Sequence, residues 1–279
     1  MNERISVHLA TKDRHSELAL TLESLRKQSY TDWDLIILDD ASGTPMLQAY
    51  FIQALINRIK LEGHKVKLLR NDFSQGVCAA RNKCIDEDDF GNKYTFRCDD
   101  DVLLEDDYLE LLLSVINDWG YDAASGVIPL LAHPEWKRST KLKLINEHVL
   151  DKEGNLISNK DECGFCYVDW QIVPTHQFRT HCLYKSEINK KVRYPDNLTF
   201  TGFREEGFFS MSMILEGYKI GVNTGAVAYH LSCPSGGVRV QQYQQNVALD
   251  DETFRKWLKK KFEENGNFLE KYNKKVMKK

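Results

Sequence analysis

The sequence predicts an α/β fold, a mostly parallel sheet flanked by helices. Two observations carry this expectation. Short runs of branched and aromatic residues alternate with stretches of helical spacing through the first half of the chain, and each run ends in a group of polar residues. Residues 5–10 and 35–38 read as buried strands, and between them Leu18, Leu22 and Leu25 recur at three- and four-residue intervals, which places them on one helix face. Residues 66–69 and Tyr94–Cys98 are two further strand candidates, with helices at about 46–61 and Val77–Asp86 between them. Strands that alternate with helices pair in parallel through right-handed crossovers.

Beyond residues 114–119 the pattern loosens. Strand-like runs follow at 123–128, 168–173, 219–222 and 226–230, with a helix at 206–216. Residues 134–162, charged and broken by the turn-forming Asp151, Lys152, Glu153, Gly154 and Asn155, read as an excursion from the sheet that can serve as a lid. No internal repeat is present.

Composition narrows the function classes. The chain has 279 residues, 42% apolar, with 13 Phe, 12 Tyr and 5 Trp, enough for a large core and inconsistent with disorder. Thirty-eight basic residues against 41 acidic ones leave a net charge of -3, so no stable nucleic-acid complex is expected. The longest apolar stretch, residues 123–132, falls far short of the ~20 residues a membrane-spanning helix needs. The N-terminus shows no secretory leader, and seven cysteines, an odd number, suit reduced thiols; a cytoplasmic location is the expectation.

In an open parallel sheet, ligands bind beyond the carboxyl ends of the strands. Here those ends carry Thr11, Lys12, Asp13 and Arg14, then Asp39 and Asp40, then Arg70, Asn71 and Asp72, then Asp99, Asp100 and Asp101. Three adjacent carboxylates repel one another unless a cation neutralises them. In extended backbone Asp99 and Asp101 share one side and can address one hard cation, for which oxygen ligands favour Mg²⁺ or Mn²⁺. The alternative is a solvated acidic turn ahead of a helix whose first turn holds Glu105, Asp106 and Asp107.

The ordered set resembles the family 2 glycosyltransferases: residues 6–14, 38–42, Asn71 followed by Gly76 and Ala80-Arg81-Asn82, and Asp99-Asp100-Asp101-Val102. The likeness continues at Arg204-Glu205-Glu206 and at Val227-Ala228-Tyr229-His230, so it spans residues 4–240. It implies a GT-A fold with a Rossmann-like nucleotide-binding half (1–119), a smaller mixed acceptor-binding half (120–240) and a basic helical tail (241–279). It also implies an inverting hexosyl or N-acetylhexosaminyl transfer from a nucleotide-diphosphate sugar, a UDP-sugar first of all. The acceptor would be a glycan, a lipid-linked or another hydroxyl.

By the same resemblance, Thr11, Asp13, Asp39 and Asn71 belong to the nucleotide site, with Asp39 accepting the uracil N–H. Arg81 lies near the diphosphate or orients the acidic rim, Asp99 or Asp100 reaches the ribose, and Asp101 with Asp99 ligates Mn²⁺ or Mg²⁺. His230 is a further metal ligand, and Ser235-Gly236-Gly237-Val238-Arg239 is a loop over the diphosphate, with Arg239 in the donor site. Glu205-Glu206 stands where the family usually carries Glu-Asp, so Glu206 is the expected general base and Glu205 its rival. The extra methylene relative to Asp moves the carboxylate by about 1.5 Å, enough to matter for alignment.

Three features remain. Cys163-Gly164-Phe165-Cys166 is followed by His176 and His181 at a spacing too short for a zinc finger. Trp170, His176, Arg179 and His181 are candidate contacts in the middle of the sugar site. From Arg255 onward ten Lys or Arg stand against three Glu, around a stripe of Phe254, Trp257, Leu258 and Phe262 with Asp250 or Asp251 as N-cap. Such a helix either packs on the catalytic domain or makes a peripheral membrane contact near a lipid-linked acceptor. Competing readings are a non-catalytic nucleotide-sugar-binding module and a sugar-phosphate nucleotidyltransferase, whose glycine-rich activating loop is missing at residues 11–14. No P-loop and no G-x-G-x-x-G element is present.

Overall fold

The N-terminal apolar run becomes β1 (Ile5–Thr11), and Ile5, Val7 and Leu9 are fully buried because neighbours cover the strand on both faces. It is followed by α1 (His15–Arg26), β2 (Trp33–Asp39), α2 (Tyr50–Leu61), β3 (Val66–Arg70), α3 (Val77–Asp86) and β4 (Tyr94–Cys98). Then come β5 (Val102–Leu104), α4 (Tyr108–Asn117) and β6 (Ala123–Val127), and the short strands β7 (Lys137–Arg138), β8 (His148–Leu150), β9 (Leu156–Ser158) and β10 (Cys166–Tyr167). The chain ends with β11 (Ile172–Pro174), β12 (Cys182–Lys185), α5 (Glu205–Leu215), β13 (Ile220–His230), α6 (Tyr243–Asn265) and α7 (Phe268–Val276). The computed structural model describes residues 3–131, 137–138, 148–150, 156–158, 166–167, 170–179, 181–239 and 242–277.

A nine-stranded sheet runs in the order β11-β13-β6-β12-β4-β1-β2-β3, with β5 attached to β13. Strands β1, β2, β3 and β4 are parallel, as the alternation predicts. The chain moves from β1 outward to β2 and β3, then returns to the other side of β1 as β4. The loops after β1 and β4 therefore flank the crevice where ligands bind in such sheets. The other half is mixed: β12 runs antiparallel to both β4 and β6, while β13 is parallel to β6.

Helix α1 buries Leu18, Leu22 and Leu25 as their spacing requires. Each such leucine contributes about 1.5–3 kcal/mol by leaving water. The stretch at 46–61 divides into a short 3-10 turn (Met46–Gln48) and α2, because Ala49 adopts extended backbone between them. Two strands of the nine-stranded sheet escaped the sequence pattern, β5 and β12, each too short to show a period. The runs at 219–222 and 226–230 form one strand, β13, with a register shift between Val222 and Val227. Gly225, between the two runs, serves close approach: a Cβ there would lie 1.8 Å from Trp170 Cδ1.

The expected lid at 134–162 and the Cys163–Cys166 pair lie outside the described residues, apart from the backbone of two small ladders, β7 with β10 and β8 with β9. Helices α6 and α7 share a core with α5: Phe254, Leu258, Phe262, Phe268, Leu269 and Tyr272 are buried with Phe208, Phe209 and Ile220. The residue-240 boundary thus falls inside a shared core. The stripe that could have lain on a membrane is covered by the chain's own domain, and Lys256, Lys259 and Lys260 stay exposed. Neither Asp250 nor Asp251 caps α6, which begins about two turns earlier at Tyr243.

At the opposite end of the sheet from the polar rim, Asp34 is fully buried. It accepts hydrogen bonds from Arg4 Nε (3.1 Å), Arg4 Nη2 (3.0 Å), Asn92 Nδ2 (3.0 Å) and Lys65 N (2.8 Å). Burial alone would raise its pKa, but these donors outweigh it and hold the carboxyl below its ordinary value. A depressed folded pKa gives stability that is present above the unfolded-state value near 3.9 and is lost as pH falls through the folded value. Asp34→Asn is expected to cost about 2–3 kcal/mol in urea unfolding at neutral pH and to flatten the acid limb of the stability profile. An unchanged midpoint would overturn the assignment.

Candidate active site

Several chain segments converge on one cavity of about 250 Å³ at the carboxyl ends of β1 and β4. Thr11 enters from the end of β1 and Lys12 and Arg14 from the loop after it, Asp99, Asp100 and Asp101 from the turn between β4 and β5, Glu205 and Glu206 from the start of α5, His230 from the end of β13 and Arg239 from the loop beyond it. The acidic turn is fixed at both ends. β5 pairs antiparallel with β13 so that Val102 lies opposite His230, and Leu231 N donates to Asp101 O at 2.8 Å.

That register brings His230 to the acidic corner. Ligand atoms of Asp99, Asp101 and His230 lie within 4.8 Å of one another, and His230 Nε2 is 3.3 Å from Asp101 Oδ1. Burial opposes the His230 imidazolium, but the hydrogen bond to Asp101 and the charges of Asp101 and Asp99 raise its pKa above the ordinary value. Asp100 stands outside that group of donors. It accepts from Thr11 Oγ1 at 2.7 Å and from Arg14 Nη1 at 3.0 Å. Burial pushes its carboxyl up to about 6 against the pull of Arg14.

Arginines share the neutralisation that the sequence assigned to a metal. Arg14 Nη1 also lies 3.1 Å from Asp101 Oδ2, and Arg81 Nη2 lies 2.9 Å from Asp99 Oδ1. The case for a cation therefore rests on the converging Asp99, Asp101 and His230 donors, two hard oxygens and an imidazole, which suit Mn²⁺ or Mg²⁺.

The two glutamates occupy different environments. Glu205 is buried, and its Oε1 takes Arg97 Nη2 at 2.9 Å and Arg81 Nη2 at 3.1 Å. Burial pushes its carboxyl well above the ordinary range against the attraction of Arg97, and Glu206 and Asp99 push the same way. Glu206, one residue on, is partly exposed, lines the cavity and has no ion pair among the described residues. Both stand in the first turn of α5, where the helix dipole favours acids.

Three of the residues expected at the nucleotide lie off the wall of this cavity. Asp39 is buried and absent from the cavity wall: its oxygens accept from Ser42 N (2.8 Å), Met46 N (3.0 Å) and Arg70, which fixes the loop after β2. Asp40 lines the wall in its place, held by Asn71 Nδ2 at 2.6 Å and Ser74 Oγ at 2.6 Å. Asn71 thus supports Asp40 and accepts from Lys83 Nζ at 2.6 Å. Asp13 accepts from Gly43 N at 2.7 Å and so ties the first two loops together.

Thr11, Arg81, Asp99, Asp100 and Arg239 do line the cavity. The loop carrying Arg239 crosses over the end of β1: Gly237 N donates to Lys12 O at 2.7 Å, and a Cβ on Gly236 (φ 74°) would lie 2.8 Å from Asp13 O. Of the middle candidates, Trp170 packs on Gly225, His176 bonds Asn273 through Nε2 at 2.7 Å, and His181 sits between Phe96 and Tyr108. None of these, nor Arg179, is on the cavity wall.

Sequence reasoning missed Arg97, which is buried beneath Glu205. Its signal was available, since a charge inside the apolar strand β4 is costly unless paired.

Residues 6–192 match the family Glycosyl transferase family 2. A glycosyl transferase assigned to colanic acid biosynthesis, WcaA of Escherichia coli (strain K12), is 31% identical over 85 residues, 30% of this chain and 28% of that protein. Among solved structures, GalNAc-T7 with UDP, GalNAc and Mn²⁺ aligns over 90% of this chain and 49% of its own, with a TM-score of 0.63 and 14% identity. S. aureus TarS aligns over 83% of this chain and 37% of its own, with a TM-score of 0.57 and 16% identity. TarS 1-349 with UDP-GlcNAc aligns over 93% and 73%, with a TM-score of 0.58 and 14% identity. The chain thus spans less than a third of the curated relative and well under half of full TarS. The structural likenesses show a GT-A fold, and with the sequence match over most of the sheet they establish that this chain belongs to glycosyl transferase family 2.

Proposed function

We propose that this protein is an inverting, metal-dependent glycosyltransferase that moves a hexosyl or N-acetylhexosaminyl group from a UDP-sugar to an acceptor hydroxyl. The observation that carries this reading is the placement, on the wall of one cavity, of the Asp99, Asp101 and His230 cluster and of Glu206, which has no ion pair among the described residues. The titles of the structural neighbours, which name UDP, Mn²⁺ and UDP-GlcNAc, support the donor class.

Asp99, Asp101 and His230 would hold Mn²⁺ or Mg²⁺, which supplies positive charge against the charge that develops on a departing diphosphate. Arg14 and Arg239 add fixed cations on the same wall, and Thr11 and Asp40 face the nucleotide. Glu206 takes the proton of the acceptor hydroxyl as its oxygen bonds to the anomeric carbon. The bond from that carbon to the diphosphate oxygen breaks on the opposite face, and the configuration inverts. Glu205, held by two guanidiniums, shapes the floor beside it.

Thermal unfolding with UDP tests the reading. UDP at about 100 times its dissociation constant stabilises by about 2.7 kcal/mol. This gain is expected with Mn²⁺ present and not with chelator, and sugar release from a UDP-hexose and UDP-N-acetylhexosamine panel should follow the same dependence. No response to any uridine nucleotide in either condition would remove the proposal.

A further inference from the structure

The segment leading into Glu205 and Glu206 is held from outside the region that resembles the family. Phe200, Thr201, Gly202 and Phe203 form part of the cavity wall and run directly into Glu205 and Glu206. The fold of this segment is unfavourable on its own. Gly202 and Arg204 both adopt left-handed backbone, with φ of 62° and 74°, and the latter is a conformation that a residue with a Cβ avoids unless its surroundings impose it.

The imposing groups come from α6. Asp250 is fully buried, and its carboxylate accepts Thr199 N at 2.6 Å, Thr199 Oγ1 at 2.8 Å and Phe203 N at 2.8 Å, so it closes the segment at both ends. Asp251 accepts Arg204 Nε at 2.7 Å, and Asn246 Nδ2 donates to Thr201 Oγ1 at 3.0 Å. One turn further on, the Phe254 ring lies so close to Gly207 that a Cβ there would stand 2.9 Å from its Cζ. Three successive turns of α6 thus grip residues 199–207, the stretch that aims Glu206 into the cavity.

We propose that Asp250 is a positioning residue: helix α6 sets the catalytic geometry by clamping the segment that carries Glu206. The proposal rests on the glycosyltransferase reading for its consequence in turnover, but the clamp itself can be read without substrate. A buried carboxylate that satisfies two backbone amides and a hydroxyl cannot be replaced by water in a site closed to solvent. Its loss frees the segment locally while the sheet and the α6 aromatic stripe keep the fold.

Two measurements on the full chain test this, using Asp250→Ala, the milder Asp250→Asn and an outer-face control, Lys259→Ala. Hydrogen–deuterium exchange without ligand should show the amides of residues 199–207 exchanging at least about 10-fold faster in Asp250→Ala than in the parent or the control, with β1 and β4 unchanged. In transfer or hydrolysis of the UDP-sugar that the parent turns over, kcat should fall about 10–100-fold with UDP affinity within about twofold of the parent. Asp250→Asn, which keeps one acceptor oxygen, should fall between the two. Unchanged exchange at 199–207, or a loss of UDP affinity matching the loss in kcat, overturns the proposal. If Asp250→Ala is unfolded, Asp250→Asn read by the same exchange decides the matter. Failure of the parent to process any UDP-sugar would count against the glycosyltransferase reading alone, because the exchange arm stands without a donor.

Discussion

Glu206→Gln is expected to lower kcat by about 10²–10⁴-fold, the range typical of a removed general base, while Mn²⁺-dependent UDP binding persists. The expectation follows from environment more than from alignment. Glu206 reaches the cavity with no ion pair among the described residues, so its lone pairs are available to an acceptor proton. Glu205 is committed: one oxygen bridges Arg97 and Arg81 inside the protein. Glu205→Gln removes the carboxylate that faces the buried Arg97, while Arg81 keeps Asp99, and should therefore destabilise the fold by about 3–5 kcal/mol before any question of turnover arises. Steady-state kinetics beside urea unfolding separates the two acids. A folded Glu206→Gln enzyme with parental turnover would falsify the assignment of the base.

His230→Ala and Asp101→Asn should each remove the cation dependence of UDP binding. Loss of a group that merely supports a metal ligand already costs about 10–100-fold in affinity, so loss of a ligand is expected to weaken Mn²⁺ by about 100-fold or more. Asp101 also pairs with Arg14, so its substitution disturbs the corner itself. His230 is the cleaner probe because its described polar partner is Asp101. Calorimetric titration of Mn²⁺ into protein with and without UDP reads the effect directly. Parental Mn²⁺ affinity in both variants would leave the neutralisation of the acidic turn to Arg14, Arg81 and Arg97 and would end the metal reading.

The parallel half of the sheet was legible because each of its elements carries a local period. Leu18, Leu22 and Leu25 mark one face of α1, and the branched runs of β1 and β2 mark strands buried on both sides. The polar ends of those strands then located the cavity, since parallel strands point their carboxyl ends to one rim. The acidic turn itself was readable for the same reason; in the structure Asp99 and Asp101 meet beside His230, while Asp100 and Asp101 share Arg14 Nη1. Less was readable where partners are distant. β5 and β12 are short and owe their existence to pairing with strands formed elsewhere in the chain. Asp39 and Asp40 are adjacent and chemically identical, and only the packing of the loop against Arg70, Asn71 and Ser74 decides which one faces the cavity.

From its residues alone, then, the chain specified strands, helices and a rim rich in carboxylates, because hydrophobic periods and turn chemistry act over a few residues. Tertiary structure decided which of those carboxylates meet. His230 reaches Asp101 through the register of β5 on β13, Glu205 is separated from Glu206 by burial against Arg97 and Arg81, and α6 comes back from the end of the chain to hold residues 199–207. Each is a contact between segments far apart in sequence, and no local period encodes which distant partner a buried charge will find.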